Sequence, residues 1–362
     1  MNSTDTPVLI MITRRSVIIY AVELLILTTG LVYCSLFLAI VLKVRCFHQN
    51  LRILLVNFAT AYMVEIISRY MIVIPLMHTY ILGYASPLDT FPWCRLAHFV
   101  HDMTIAVIFM DTVVLVVERS IATRNSRTYE LSSSSFIGVS LVVAQWSLAF
   151  VFIWLNQAYD NTDEKTDFVL SAACQKMYLN TQLFTVLAIL SIIVDVIVAV
   201  VFIILLRINR RKYDENRKES GNYLSNRYQT AENIRSTRLL YPLMTAKVIV
   251  SLASAGLLLT AGLVLAVSKD TVAKTQTASI LGQSFDLLIA TYTVIFPQLA
   301  FYGQRSLLWA SKKSILCVRR KAVQDVKSAA QNIRGVDGKP LLNDIKKEFD
   351  DHFAALEALW NK

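Results

Sequence analysis

Ionisable side chains interrupt stretches of this chain that otherwise read as continuous hydrocarbon. Glu65 and Arg69 stand four residues apart, so on a helix they share a face and can pair. His98, His101 and Asp102 cluster in another apolar run, with Glu23 in the first run and Asp286 in the last. Asp111, Asp195 and Lys247 lie deeper in theirs and read as interhelical partners or gating contacts. A charge held among apolar neighbours is expensive, which makes each of these residues a candidate for ligand binding or for locking helices together. His98 and His101 have i,i+3 spacing, yet no further Cys, Glu or His joins them at ligand spacing, so no metal is expected. No nucleophile elbow, P-loop or dinucleotide fingerprint occurs, so neither catalysis nor a cofactor is expected.

The elements that must position these groups follow from composition. Of 362 residues, 55% are hydrophobic and 17% charged, with mean hydropathy +0.50, whereas soluble domains carry about 25% charged residues. Apolar segments of spanning length fall near 17–43, 52–77, 95–117, 135–155, 182–206, 239–267 and 278–303. The fold class is therefore an all-α membrane protein, a seven-transmembrane helix bundle. Seven spans put the termini on opposite sides. With the N-terminus extracellular, 27 of the 36 Lys and Arg lie in cytoplasmic segments, seven outside and two within spans. That bias fixes the orientation, although Arg14 and Arg15 flank the first span on its outer side. It also accounts for the net charge of +10 as a topology signal, so no nucleic-acid partner is expected.

This frame divides the chain into an extracellular N-terminus (1–16), a receptor-like bundle (17–303) and a cytoplasmic tail (304–362). Residues 1–15 and the long first apolar run do not read as a cleavable leader. Asn2 opens an Asn-Ser-Thr glycosylation sequon. Of five cysteines only Cys94 and Cys174 fall in outer loops, where an oxidising compartment favours a disulfide between them. Residues 207–238 form a long, basic third inner loop, helix-prone around Tyr228 to Arg235. After the seventh span, apolar and basic residues from Arg305 to Arg320 alternate as an amphipathic cytoplasmic helix on the membrane surface. Cys317 at its end is a candidate for palmitoylation. A further amphipathic pattern runs from Leu342 to Trp360, with no partner indicated.

At about 1.5 Å per residue, Glu23, Arg69, Asp102 and Asp286 share the outer half of the bundle, with Glu65 nearer the middle. The charge there is net negative, so some carboxylates must pair, take up a proton or face water. Glu65 and Arg69 are expected to pair and hold the bundle. Asp102 has no such partner in sequence and is expected to line an outward-open cavity with His98, His101 and Asp286. Lys247, about 13 Å above the inner end of its span at that rise, is expected to snorkel toward the inner face.

At the inner end of the third span stands Glu118-Arg119-Ser120, which resembles the Asp-Arg-Tyr signature of rhodopsin-like receptors. Phe47-His48-Gln49-Asn50-Leu51 and the stretch from Tyr223 to Arg235, together with Glu118 to Thr123, resemble the Sre family of nematode serpentine chemoreceptors over about residues 16–320. Sra, Srab and Srb are related families. The resemblance implies a G-protein-coupled chemosensory receptor in the plasma membrane, at a sensory neuron cilium. A small molecule or peptide would be its ligand and a heterotrimeric G protein its partner, with Glu118 and Arg119 at the coupling cleft. The sixth span has no Trp or Pro from Val248 to Val267, and the seventh has Phe296 before Pro297 where rhodopsin-like receptors carry Asn, so their activation switch does not transfer. A seven-helix ligand-gated channel or small-solute transporter is the alternative. The charge bias opposes the channel, and few glycines and no paired broken helices oppose the transporter.

Overall fold

Backbone amides in hydrocarbon have no water to bond, so a chain of this composition must satisfy them within helices. The computed structural model describes residues 14–43, 47–82, 93–125, 135–159, 181–218, 224–267, 271–303 and 307. They form seven helices: α1 (Arg14–Lys43), α2 (Gln49–Leu82), α3 (Cys94–Arg124), α4 (Phe136–Tyr159), α5 (Thr181–Lys218), α6 (Leu224–Val267) and α7 (Thr271–Gly303). All seven are long and apolar enough to cross a membrane, and the spans within them match those read from hydropathy. Pro75, Pro242 and Pro297 lie inside α2, α6 and α7, as neighbouring helices allow in membrane bundles.

The helices close a ring through contacts of α1 with α2 and α7, α6 with α5 and α7, and α3 with α2, α4, α5 and α6. α3 is thus the central post. Large apolar side chains such as Val143 and Trp154 on α4, and Ile193 and Ile197 on α5, point outward, as a lipid-facing surface requires. Phe58 and Tyr62 of α2 pack on Phe296 of α7, with ring centroids 4.9 Å apart in both pairs. Phe37 of α1 packs on the same ring.

The third inner loop is helical well beyond the Tyr228–Arg235 stretch that its sequence marks as helix-prone. α5 continues to Lys218 and α6 starts at Leu224, so most of 207–238 is helix and only 219–223 lies between the two. Hydropathy ends a span where charge begins, but Arg, Lys and Glu are good helix formers and prolong the helix into water. The i,i+4 pair of Arg211 and Glu215, at 2.9 Å, adds to this. The Phe47–Leu51 motif also has a packing role: Asn50 is buried and its Oδ1 accepts the Gly138 amide at 3.1 Å, joining α2 to α4.

α1 and α7 meet at Gly30. A Cβ there would lie 2.0 Å from Thr293 Oγ1 and 3.0 Å from Thr293 Cβ. That hydroxyl already donates to Ala290 O at 2.7 Å, so rotating it away breaks a bond. Gly30→Ala should therefore lower the thermal stability of the purified protein by about 1–3 kcal/mol, the usual range for overpacking. Gly256→Ala, where a Cβ meets nothing within 4 Å, should leave stability unchanged or gain up to about 1 kcal/mol in helix propensity.

Candidate functional site

Because the chain reverses at each span, the starts of α1, α3 and α7 share one face of the bundle with the end of α2. Four charged or ionisable residues converge there. Arg69 Nε donates to Glu23 Oε1 at 2.7 Å and Nη2 donates to Glu23 Oε2 at 3.0 Å, a bidentate fork. Arg69 Nη1 lies 3.0 Å from Asp286 Oδ2. His101 Nε2 approaches Asp286 Oδ1 at 3.6 Å, within electrostatic reach but beyond a direct hydrogen bond. One guanidinium thus ties α1, α2 and α7, and α3 leans on the same carboxylate. Gln283 Nε2 donates to Tyr20 OH at 3.1 Å, a further α1–α7 tie at this end.

The Glu65–Arg69 pair expected from i,i+4 spacing does not form. Neither carboxylate oxygen of Glu65 has a hydrogen-bond partner, and the residue is fully buried. Turning Arg69 back one turn toward Glu65 would strip both Glu23 and Asp286 of their cation. A three-donor fork shared by two acids wins over a single pair. Of the expected ligand contacts, His101 and Asp286 are bound into this network, while His98 is half-buried and Asp102 is buried beside it on α3.

At mid-depth a second, uncharged-donor network joins α2, α3 and α4. Gln145 Nε2 donates to Asp111 Oδ1 at 2.6 Å and to Val107 O at 2.8 Å. Asn57 Nδ2 donates to Gln145 Oε1 at 3.0 Å, and Trp146 Nε1 donates to Asn57 Oδ1 at 2.7 Å. Asp111 is interhelical as expected, but Gln145 and Trp146 carry as much of the contact. The available signal was a Gln within an apolar run. Lys247 is an interhelical partner and does not snorkel: it is 1% exposed, and its Nζ sits 4.6 Å from the Phe109 ring centroid, facing α3 at mid-depth. The ring face and buried carboxylates offer a cation more than a long reach to the interface does.

At the opposite end of α3, Arg119 Nε and Nη2 donate to Glu118 Oε2 and Oε1 at 2.5 and 2.6 Å. Both residues are buried. α5 closes over them: Asn209 Nδ2 donates to Thr123 Oγ1 at 3.1 Å and Lys212 Nζ to Thr123 O at 2.8 Å.

The sequence that folds into this seven-helix bundle matches a known family. Residues 11–315 fit the sequence model of the serpentine type 7TM GPCR receptor class ab chemoreceptors. The chain belongs to that family. Two Caenorhabditis elegans proteins are similar along nearly their whole length. One, described as a probable G-protein coupled receptor, is 27% identical over 363 residues, covering 97% of this chain and 94% of the relative. The other, serpentine receptor class alpha/beta-14, is 25% identical over 364 residues, covering 94% and 88%. The resemblance to the Sre family is thereby corrected to the neighbouring class ab.

The serpentine receptor is a multi-pass membrane protein of the G-protein-coupled chemosensory kind. Asn2, Cys174, Cys317, and the side chain of Cys94 lie outside the described residues, as do the tail helix and the Leu342–Trp360 pattern. The geometry separates the two acids of α2's neighbourhood by experiment. Arg69→Ala or Glu23→Ala leaves a buried charge uncompensated, about 3–5 kcal/mol for a broken buried pair, and should sharply reduce surface expression measured by flow cytometry. Glu65→Gln removes no hydrogen bond and should express near the native level.

Proposed function

We propose that this serpentine receptor binds an extracellular small molecule or peptide among the outer ends of α2, α3, α5, α6 and α7, and passes the signal along α3 to a heterotrimeric G protein. The observation that supports this reading is the polarity of α3, with His98, His101 and Asp102 toward one end and the buried Glu118–Arg119 fork at the other. In this reading the N-terminus is extracellular, residues 17–303 are the receptor domain and 304–362 the cytoplasmic tail. Asp102 makes the polar ligand contact, with His98 beside it. His101 and Asp286 contribute through the Arg69 junction as well as to the ligand. Binding energy that favours one arrangement of α5 and α6 over another opens the cleft lined by Arg119.

The same reading assigns a disulfide between Cys94 and Cys174, pinning the second outer loop to the start of α3, with closure worth about 2–4 kcal/mol. It assigns glycosylation to Asn2 and lipidation to Cys317. The location is the plasma membrane, in a sensory neuron cilium.

Two variants test the division of labour. Arg119→Ala should reach the surface and bind ligand normally, yet lose G-protein activation, read as nucleotide exchange in membranes challenged with an activating chemical. Asp102→Asn should express normally and lower the potency of that chemical about tenfold or more, the loss of a hydrogen bond to a charged group. Normal activation by the Arg119 variant contradicts the cleft assignment. Antibody access in intact cells to an N-terminal tag, and not to a C-terminal one, tests the orientation, which a channel with a cytoplasmic N-terminus would reverse.

A further inference from the structure

The interface of α3, α5 and α6 gathers buried polar atoms that the ligand and coupling regions leave unused. Lys247 Nζ, Asp111 Oδ2, Asp195 Oδ2 and Ser251 Oγ are each buried without a hydrogen-bond partner among the described residues. They are not scattered. Asp195 and Asp111 are the carboxylates that act electrostatically on Lys247, and the hydroxyls of Ser251 and Thr112 lie against Asp195. Lys247 and Ser251 are one turn apart on α6, Asp111 is on α3 and Asp195 on α5. The ammonium also faces the Phe109 ring of α3 at 4.6 Å, and the Tyr292 ring centroid of α7 is 6.0 Å away.

An ammonium with three donors facing two carboxylate oxygens to which it is not hydrogen-bonded, with a hydroxyl beside them, is a setting in which a bridging water finds its two to four partners. The direct alternative, a dry gap between opposite charges in hydrocarbon, leaves every one of these groups desolvated without compensation. We infer that ordered water occupies this interface and links Lys247 to Asp111, Asp195 and Ser251, and that this water-bridged cluster is the polar contact holding α6 against α3 and α5. It complements the Arg69 junction, whose contacts run among α1, α2, α3 and α7. A water-mediated contact rearranges with less cost than a direct buried salt bridge, which suits the side of the bundle that moves. This rests on the proposed opening of the α5–α6 side for its role in signalling, whereas the hydration itself does not.

Two measurements on the purified full-length receptor in nanodiscs test it. X-ray hydroxyl-radical footprinting generates radicals from bound water. It should oxidise Phe109 and the buried Tyr292 several-fold faster than Phe37, which is equally enclosed on α1 and separated from Tyr292 by the Phe296 ring. Equal rates at Tyr292 and Phe37 would overturn the water assignment. Electron spin-echo distances between labels at Arg124 of α3 and Tyr241 of α6, both exposed, in a background with Cys46 and Cys317 replaced by Ser, read the latch. Lys247→Met should add a longer α3–α6 distance to at least a tenth of the molecules, and Lys247→Arg should keep the native distribution. An unchanged distribution in folded Lys247→Met, or in Asp195→Asn should the first variant not fold, would overturn the latch. An unchanged distribution with the water confirmed would overturn the latch and leave the hydration standing.

Discussion

The bundle depends on a single guanidinium. Arg69 gives three of its donors to two carboxylates from two neighbouring helices, Glu23 on α1 and Asp286 on α7. Taking such ions out of water costs several kcal/mol each, and their attraction offsets that only with good geometry and few lone pairs left over. The bidentate fork to Glu23 supplies the geometry, and Asp286 takes the remaining reach, with His101 against its other oxygen. The outcome is an end of the bundle where α1, α2, α3 and α7 are fixed relative to one another. No comparable apolar packing could specify that register, because lipid competes equally well for every apolar face.

With that end tied, freedom lies on the other side of the ring. α5 and α6 meet α3 through largely apolar packing, together with the Lys247 cluster and, at the Arg119 end, the bonds of Asn209 and Lys212 to Thr123. A ligand that contacts Asp102 touches the helix shared by the fixed and the free parts. α3 carries the mid-depth network of Asn57, Asp111, Gln145 and Trp146 as well, which locks it to α2 and α4. Its remaining faces, toward α5 and α6, are the ones available to change.

Hydropathy alone made the spans legible, because the bilayer forces helices of known length and leaves no other option for the backbone. The adjacent Glu118–Arg119 fork was legible for the same local reason: neighbours in sequence are neighbours in space. What was not legible was every contact decided by helix rotation. Glu23 lies 46 residues from Arg69, whereas Glu65 is one turn away, and spacing could only propose the near one. Helix rotation turned Arg69 toward α1 and α7. Lys247 read as a snorkelling residue because sequence gives its depth but not the ring and carboxylates that face it. The continuation of α5 and α6 past the spans was hidden by charge, which ends a hydropathy window but not a helix.

The account stands or falls on the partner of Arg69, and a double-mutant cycle measures that directly. Thermal unfolding of the purified receptor would be compared for Arg69→Met, Asp286→Asn, Glu65→Gln and the two doubles that include Arg69→Met. Contacting residues couple by about 0.5–3 kcal/mol. The structure predicts coupling in that range between Arg69 and Asp286, and coupling below about 0.5 kcal/mol between Arg69 and Glu65. A large Arg69–Glu65 coupling beside a negligible Arg69–Asp286 one would contradict it, returning Arg69 to a pair within its own helix and removing the tie between α2 and α7.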